Sequence, residues 1–132
     1  VFKRKIRDVV HQYETTALRD GIHMDATLST GENLADISGL AICVEYLRDL
    51  QEFNRFIMPV RALSFETFFF YIAVQGRQHI SARAIDTQLH VNPHPLDKYR
   101  VNCPLARIPL FQALFNVQSD DPMYWKSADT IW

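Results

Sequence analysis

Apolar positions recur along this chain at the three- and four-residue spacing of helices. Phe2, Ile6, Val9, Val10 and Tyr13 predict a first helix over residues 2–16. From Thr16 to Thr30 turn formers accumulate and no period is visible. Ser29 or Thr30 can cap a second helix over residues 31–50, where Leu34, Ile37, Leu40, Ala41, Val44 and Leu47 form a broad apolar side. Glu32, Asp36, Gly39 and Cys43 fall on another side, and Gly39 would let a neighbouring backbone come close to it. After Pro59 a third helix is predicted from Ser64 to Gln78. Phe65, Phe68, Phe69, Phe70, Ile72 and Ala73 make it apolar around most of its circumference, the pattern of a helix inside a core. Ser81–Leu89 predicts a short fourth helix. His90–Tyr99 holds two prolines and reads as a loop. Pro104–Phe115 predicts a last helix, with Leu110, Phe111, Leu114 and Phe115 as its packing residues. The fold class is therefore mainly α, with no internal repeat, low-complexity run or linker to mark two domains.

Composition narrows the picture. Of 132 residues, 48% are hydrophobic and 22% are charged, which suits a packed core and not a disordered chain. A net charge of −1 gives no general drive toward nucleic acid or acidic membranes. Lys3-Arg4-Lys5 reads as a solvated helix face. No apolar stretch approaches the roughly 20 residues that span a bilayer, and no signal peptide is visible. The two cysteines, Cys43 and Cys103, read as free thiols. The chain begins at Val1 and not Met, so it reads as a piece of a larger polypeptide, or one part of a cleaved or split protein.

One run carries candidate chemistry. In Gly31-Glu32-Asn33-Leu34-Ala35-Asp36-Ile37-Ser38-Gly39-Leu40, two carboxylates stand one helical turn apart on the same face. Like charges at that spacing repel. Either they are a solvated helix start, favoured by the positive end of the helix dipole, or a cation relieves them. His90 and His94 are also four apart, but Pro93 and Pro95 oppose a continuous helix there and no glutamate follows His90, so they do not make a zinc-binding helix.

The same run resembles the neprilysin and endothelin-converting-enzyme family of zinc metallopeptidases, which carries Gly-Glu-Asn-Ile/Leu-Ala-Asp-x-x-Gly-Leu. A second block, Pro93-His94-Pro95-Leu96-Asp97-Lys98-Tyr99-Arg100-Val101-Asn102-Cys103-Pro104-Leu105, resembles the family's His-x-Pro-Gly-Lys-Tyr-Arg-Val-Asn-Gly-Pro-Leu. The stretches Asp121-Pro122-Met123-Tyr124 and Ile131-Trp132 are similar to its C-terminal tail. The resemblance implies that residues 1–132 are the C-terminal portion of a gluzincin-type catalytic domain, not a complete domain. The family's His-Glu-x-x-His helix lies upstream of the first block and is absent here. The cofactor implied is zinc, with Glu32 as its third protein ligand and the other ligands outside this chain. Asp36 then matches a carboxylate that orients a ligating histidine. His94 matches a histidine that donates to the oxyanion of the tetrahedral intermediate, and Arg100 an arginine that binds substrate carbonyl or carboxylate groups. Asn33 would sit at the edge of the site.

Departures from the pattern are also plain. Pro95-Leu96-Asp97 replaces the usual Pro-Gly, Gly76 falls near a common tryptophan, and Cys103 replaces a glycine. If that glycine has positive φ, the cysteine costs about 1 kcal/mol. Val117 and Asp129 stand where surface members of the family carry a cysteine pair, which leans toward an intracellular or bacterial-type branch. Two functions follow. The chain is part of a zinc metalloendopeptidase acting on a peptide or small-protein substrate, completed by the rest of its catalytic domain or a partner chain. Otherwise it is a catalytically silent structural or interaction subunit derived from such an enzyme. Neither reading involves nucleic acid or a membrane segment. By itself the chain is expected to be inactive.

Overall fold

The computed structural model describes residues 1–53, 62–92 and 94–126, and among them there are six helices and no strand. They are α1 (Phe2–Arg19), α2 (Thr30–Phe53), α3 (Ala62–Gln75), α4 (Ala82–Val91), α5 (Asp97–Ala106) and α6 (Pro109–Leu114). The mainly α expectation is met. No described helix is long and apolar enough to cross a membrane.

Local chemistry explains the boundaries. α1 stops because Gly21, at φ +74°, turns the chain into the left-handed region. Its N–H bonds Leu18 O at 2.9 Å and that of Ile22 bonds Ala17 O at 3.0 Å, closing the helix end in a Schellman motif. α6 ends in the same way on Asn116 at φ 51°, with bonds from Asn116 N to Ala113 O and from Val117 N to Gln112 O. α4 begins where the Ser81 hydroxyl accepts from Ala84 N at 3.3 Å.

Two expected boundaries change. The stretch His90–Tyr99 is not all loop, because α4 continues through Val91 and α5 starts at Asp97. Pro104–Phe115 is not one helix. Proline at 109 drives the preceding residue out of helical geometry, Ile108 lies at φ −87°, ψ 112°, and the chain breaks there before Pro109 opens α6. Pro104 itself lies inside α5, in its last turn, and cannot donate the i→i−4 bond that would reach Arg100 O.

α5 occupies the centre and packs against α1, α2, α3 and α6. One core joins Val9, Tyr13 and Ala17 of α1 to Ile37 of α2 and to Tyr99 and Cys103 of α5. A second joins Leu40 and Val44 of α2, Phe65 and Phe69 of α3, Val101 and Leu105 of α5, and Phe111 of α6. Phe69 meets Phe111 edge-on, with ring centroids 5.5 Å apart. Within these residues α3 is covered on only part of its apolar circumference. Phe65 and Phe69 are buried, but Phe70, Tyr71 and Val74 are each more than half exposed.

Three further expectations shift. Outside its own helix backbone, no described atom lies within 4 Å of where a Cβ on Gly39 would stand, so the expected close approach is not seen among the described residues. Gly76 has such a neighbour. A Cβ there would fall on Val101 Cγ2 of α5. Cys103 lies in α5 and not a loop, and Asn116 is the one non-glycine described residue with positive φ, so Cys103 carries no such strain. Both cysteines are free, with Cys43 exposed and Cys103 buried.

Candidate functional site

The packing of α5 across α2 brings the candidate residues together. Glu32 and Asp36 project from the first turns of α2, Arg100 from α5, and His94 from the segment between α4 and α5. Arg100 Nε donates to Asp36 Oδ2 at 2.7 Å, and Nη2 donates to Asp36 Oδ1 at 2.8 Å. This is the two-pronged fit of a planar guanidinium to a carboxylate. Arg100 Nη2 also lies 3.9 Å from Glu32 Oε2. One cation thus bridges both carboxylates, which offsets the repulsion built into their spacing. The hydrogen bonds to Asp36 raise the Arg100 pKa above its ordinary value, against the effect of burial.

His94 Nδ1 lies 3.3 Å from Glu32 Oε2, within ion-pair distance if the ring is protonated. The two are not aligned as a hydrogen bond, and Nδ1 is buried with no hydrogen-bond partner. The side chains of His94 and Glu32 are 43% and 40% exposed, so both remain open to a ligand. Asp36 is the most enclosed of the four, at 22%. Order along the site is His94, Glu32, Arg100, Asp36.

Buried residues back this cluster. Asn33 is fully buried and donates from Nδ2 to Ser29 Oγ at 3.1 Å, while its Oδ1 has no partner. The Tyr13 hydroxyl is likewise buried and unpartnered. Burial pushes its phenol well above the ordinary value, with Cys103 and then Asp36 adding to the rise.

Over residues 1–131 the sequence matches the model of peptidase family M13. The chain belongs to peptidase family M13. It is 30% identical over 117 residues to the endothelin-converting enzyme homolog of Locusta migratoria. That match covers 86% of this chain and 16% of the locust protein. No solved structure matches the chain significantly. Members of M13 are zinc metallopeptidases, and this chain is a metallopeptidase-derived region.

Among the described residues, no group of three or more His, Cys, Asp or Glu side chains comes together to hold a metal ion. Glu32 has the chemistry of one zinc ligand, but a zinc site needs at least three protein ligands. The described residues of this M13 chain therefore do not fit zinc by themselves.

Sequence reasoning missed the residues that hold His94 in place. Asn92 Oδ1 accepts from His94 N at 2.9 Å. Gln88 Nε2 donates to His94 O at 3.4 Å and to Pro95 O at 3.1 Å. The asparagine two residues ahead of the histidine was the readable signal, because such side chains often fold back on the backbone. Nothing in the spacing of Gln88 announces its role. His90 is elsewhere, with Nδ1 2.8 Å from Asp86 O in α4. A cleft lined by Phe69, Phe70, Phe111, Phe115 and Met123 lies between α3, α5 and α6, and none of the four candidate residues lines it.

Proposed function

We propose that this chain is the part of a zinc metalloendopeptidase that supplies one metal ligand, Glu32, together with an oxyanion donor, His94, and a substrate-binding cation, Arg100. The single observation that carries this reading is the convergence of Glu32, Asp36, His94 and Arg100, from two sequence blocks some 60 residues apart, on one half-exposed surface. Zinc, when bound with ligands from outside the described residues, supplies a Lewis acid that polarises the scissile carbonyl. Glu32 contributes its carboxylate to that site. Asp36 fixes the Arg100 guanidinium and remains able to accept from an incoming histidine ring. Arg100 offers its remaining N–H groups to a substrate carbonyl or carboxylate. His94 donates to the oxyanion as charge develops, a contact typically worth about 2.7–4 kcal/mol of barrier. The peptide or small-protein substrate, and completion of the site by further polypeptide, belong to the same reading.

Replacement in the intact polypeptide tests it. Glu32→Ala should abolish bound zinc, measured by mass spectrometry, together with peptidase turnover. Asp36→Ala should weaken both by about tenfold to a hundredfold. His94→Ala should lower kcat with little change in KM, whereas Arg100→Ala should raise KM. Full zinc and full rate in Glu32→Ala would end the ligand assignment.

A further inference from the structure

We infer that Gln88 is a positioning residue for His94, acting through the backbone of the segment that carries it. The inference rests on the reading of His94 as the oxyanion donor. α4 has no buried residue, so it is a peripheral helix. Its inner face is formed by Ile85, Gln88 and Leu89, at the i, i+3 and i+4 positions of one helical side. Ile85 and Leu89 rest against the first core. Between them Gln88 reaches the next segment and donates both to His94 O and to Pro95 O.

His94 is thereby held at both backbone poles. The Asn92 carboxamide takes its N–H, and Gln88 takes its carbonyl. Pro95 and Leu96, both buried, anchor the chain just beyond. The ring makes no hydrogen bond at Nδ1, which is buried 3.3 Å from Glu32 Oε2. The position of the imidazole therefore depends on the backbone beneath it, and Gln88 is the link between that backbone and a helix. A donor must meet the oxyanion within a few tenths of an ångström, and a misplacement of 1 Å can cost about a hundredfold in rate.

Glutamate at this position keeps the volume and the helix, but it sets carboxylate oxygens against two carbonyl oxygens. Leucine keeps the packing and removes the donor. In the intact zinc-loaded polypeptide, Gln88→Glu and Gln88→Leu should each lower kcat by roughly 3- to 30-fold, less than the full cost of 1 Å misplacement, with KM within about twofold. In a His94→Ala background the same changes should lower kcat no further, because Gln88 acts only through that ring. Hydrogen exchange supplies a readout independent of activity. With or without zinc, the amides of His94 and Leu96 should exchange faster in Gln88→Glu, while those of α2 are unchanged. A fall in kcat that persists undiminished without His94, or unchanged exchange at His94, overturns the inference. If His94→Ala lowers kcat while both Gln88 variants run at the parent rate, the positioning role fails and the His94 assignment stands. If His94→Ala leaves kcat intact, the functional reading itself fails, and this inference with it.

Discussion

Arg100 shows how one side chain decides what two others can do. Its fork occupies both oxygens of Asp36 and still leaves Nη2 within 3.9 Å of Glu32. Lysine could offer a charge there but not the fork, so under the proposed substrate-binding role Arg100→Lys should restore little of the affinity lost in Arg100→Ala, as read from KM. A second ion pair is open to a pH test. Lys98 donates to Asp20 at 2.7 and 2.8 Å, and Tyr99 OH donates to it at 3.0 Å. The Lys98 bond holds the Asp20 carboxyl below its ordinary value, and the Tyr99 bond adds to this. The folded chain therefore binds fewer protons at Asp20 than the unfolded chain does. The resulting stability is complete above about pH 4, and it is lost as pH falls through the lowered value. Asp20→Asn should flatten the acid limb of a stability–pH curve, measured by urea unfolding, and cost about 1 kcal/mol or less at pH 7, because Lys98 is mostly exposed. The thiols should separate too. Burial pushes Cys103 up to about 12, so a maleimide should label exposed Cys43 in the native chain and Cys103 only after unfolding.

Helices meet at positions that leave no slack, and Gly76 is the clearest. Alanine there would place its methyl on Val101, whose side chain belongs to the second core. Gly76→Ala should destabilise by about 1–3 kcal/mol, and Val101→Ala in the same chain should recover part of that loss, as read by thermal unfolding. The sequence could show that Gly76 sits at the end of an aromatic helix, but not that Val101 would lie over it, since the two come together only in the folded chain. The same division runs through the other elements. α1, α2 and α4 were legible because Phe2–Tyr13, Leu34–Leu47 and Ser81 carry local signals of period and capping. α5 was not, since Pro93, Pro95 and Pro104 bracket a stretch whose helicity comes from burying Tyr99, Val101 and Cys103 on four neighbours. The Ile108–Pro109 break had a local cause and could have been read. At the site, residue types were legible in two blocks. The Arg100–Asp36 fork, the Asn92 and Gln88 bonds and the burial of Asn33 depend on tertiary approach, which spacing does not encode.

The molecule as a whole leaves much apolar surface in water. On α2, Ile42, Tyr46 and Phe53 are 65%, 62% and 74% exposed, and on α3 Phe70, Tyr71 and Val74 are 62%, 58% and 63% exposed. A soluble monomer rarely shows such contiguous faces. The isolated chain should self-associate or bind a partner in light scattering coupled to size exclusion, and a clean monomer with a sharp two-state transition would contradict this. Segments far apart in the sequence are also bound to one another. Arg107 Nη2 donates to Asp8 at 2.7 Å, Gln12 Nε2 donates to Cys103 O at 2.9 Å, and these partners stand 99 and 91 positions apart. Closing a loop of that length costs about 4 kcal/mol of chain entropy. On a ribosome adding about 5–20 residues per second, α1 emerges roughly 5–18 s before α5 exists to cover it. Through that interval Val9, Tyr13 and Ala17 have no α5 to pack against, so this part of the core closes only after Asp97–Ala106 has been made.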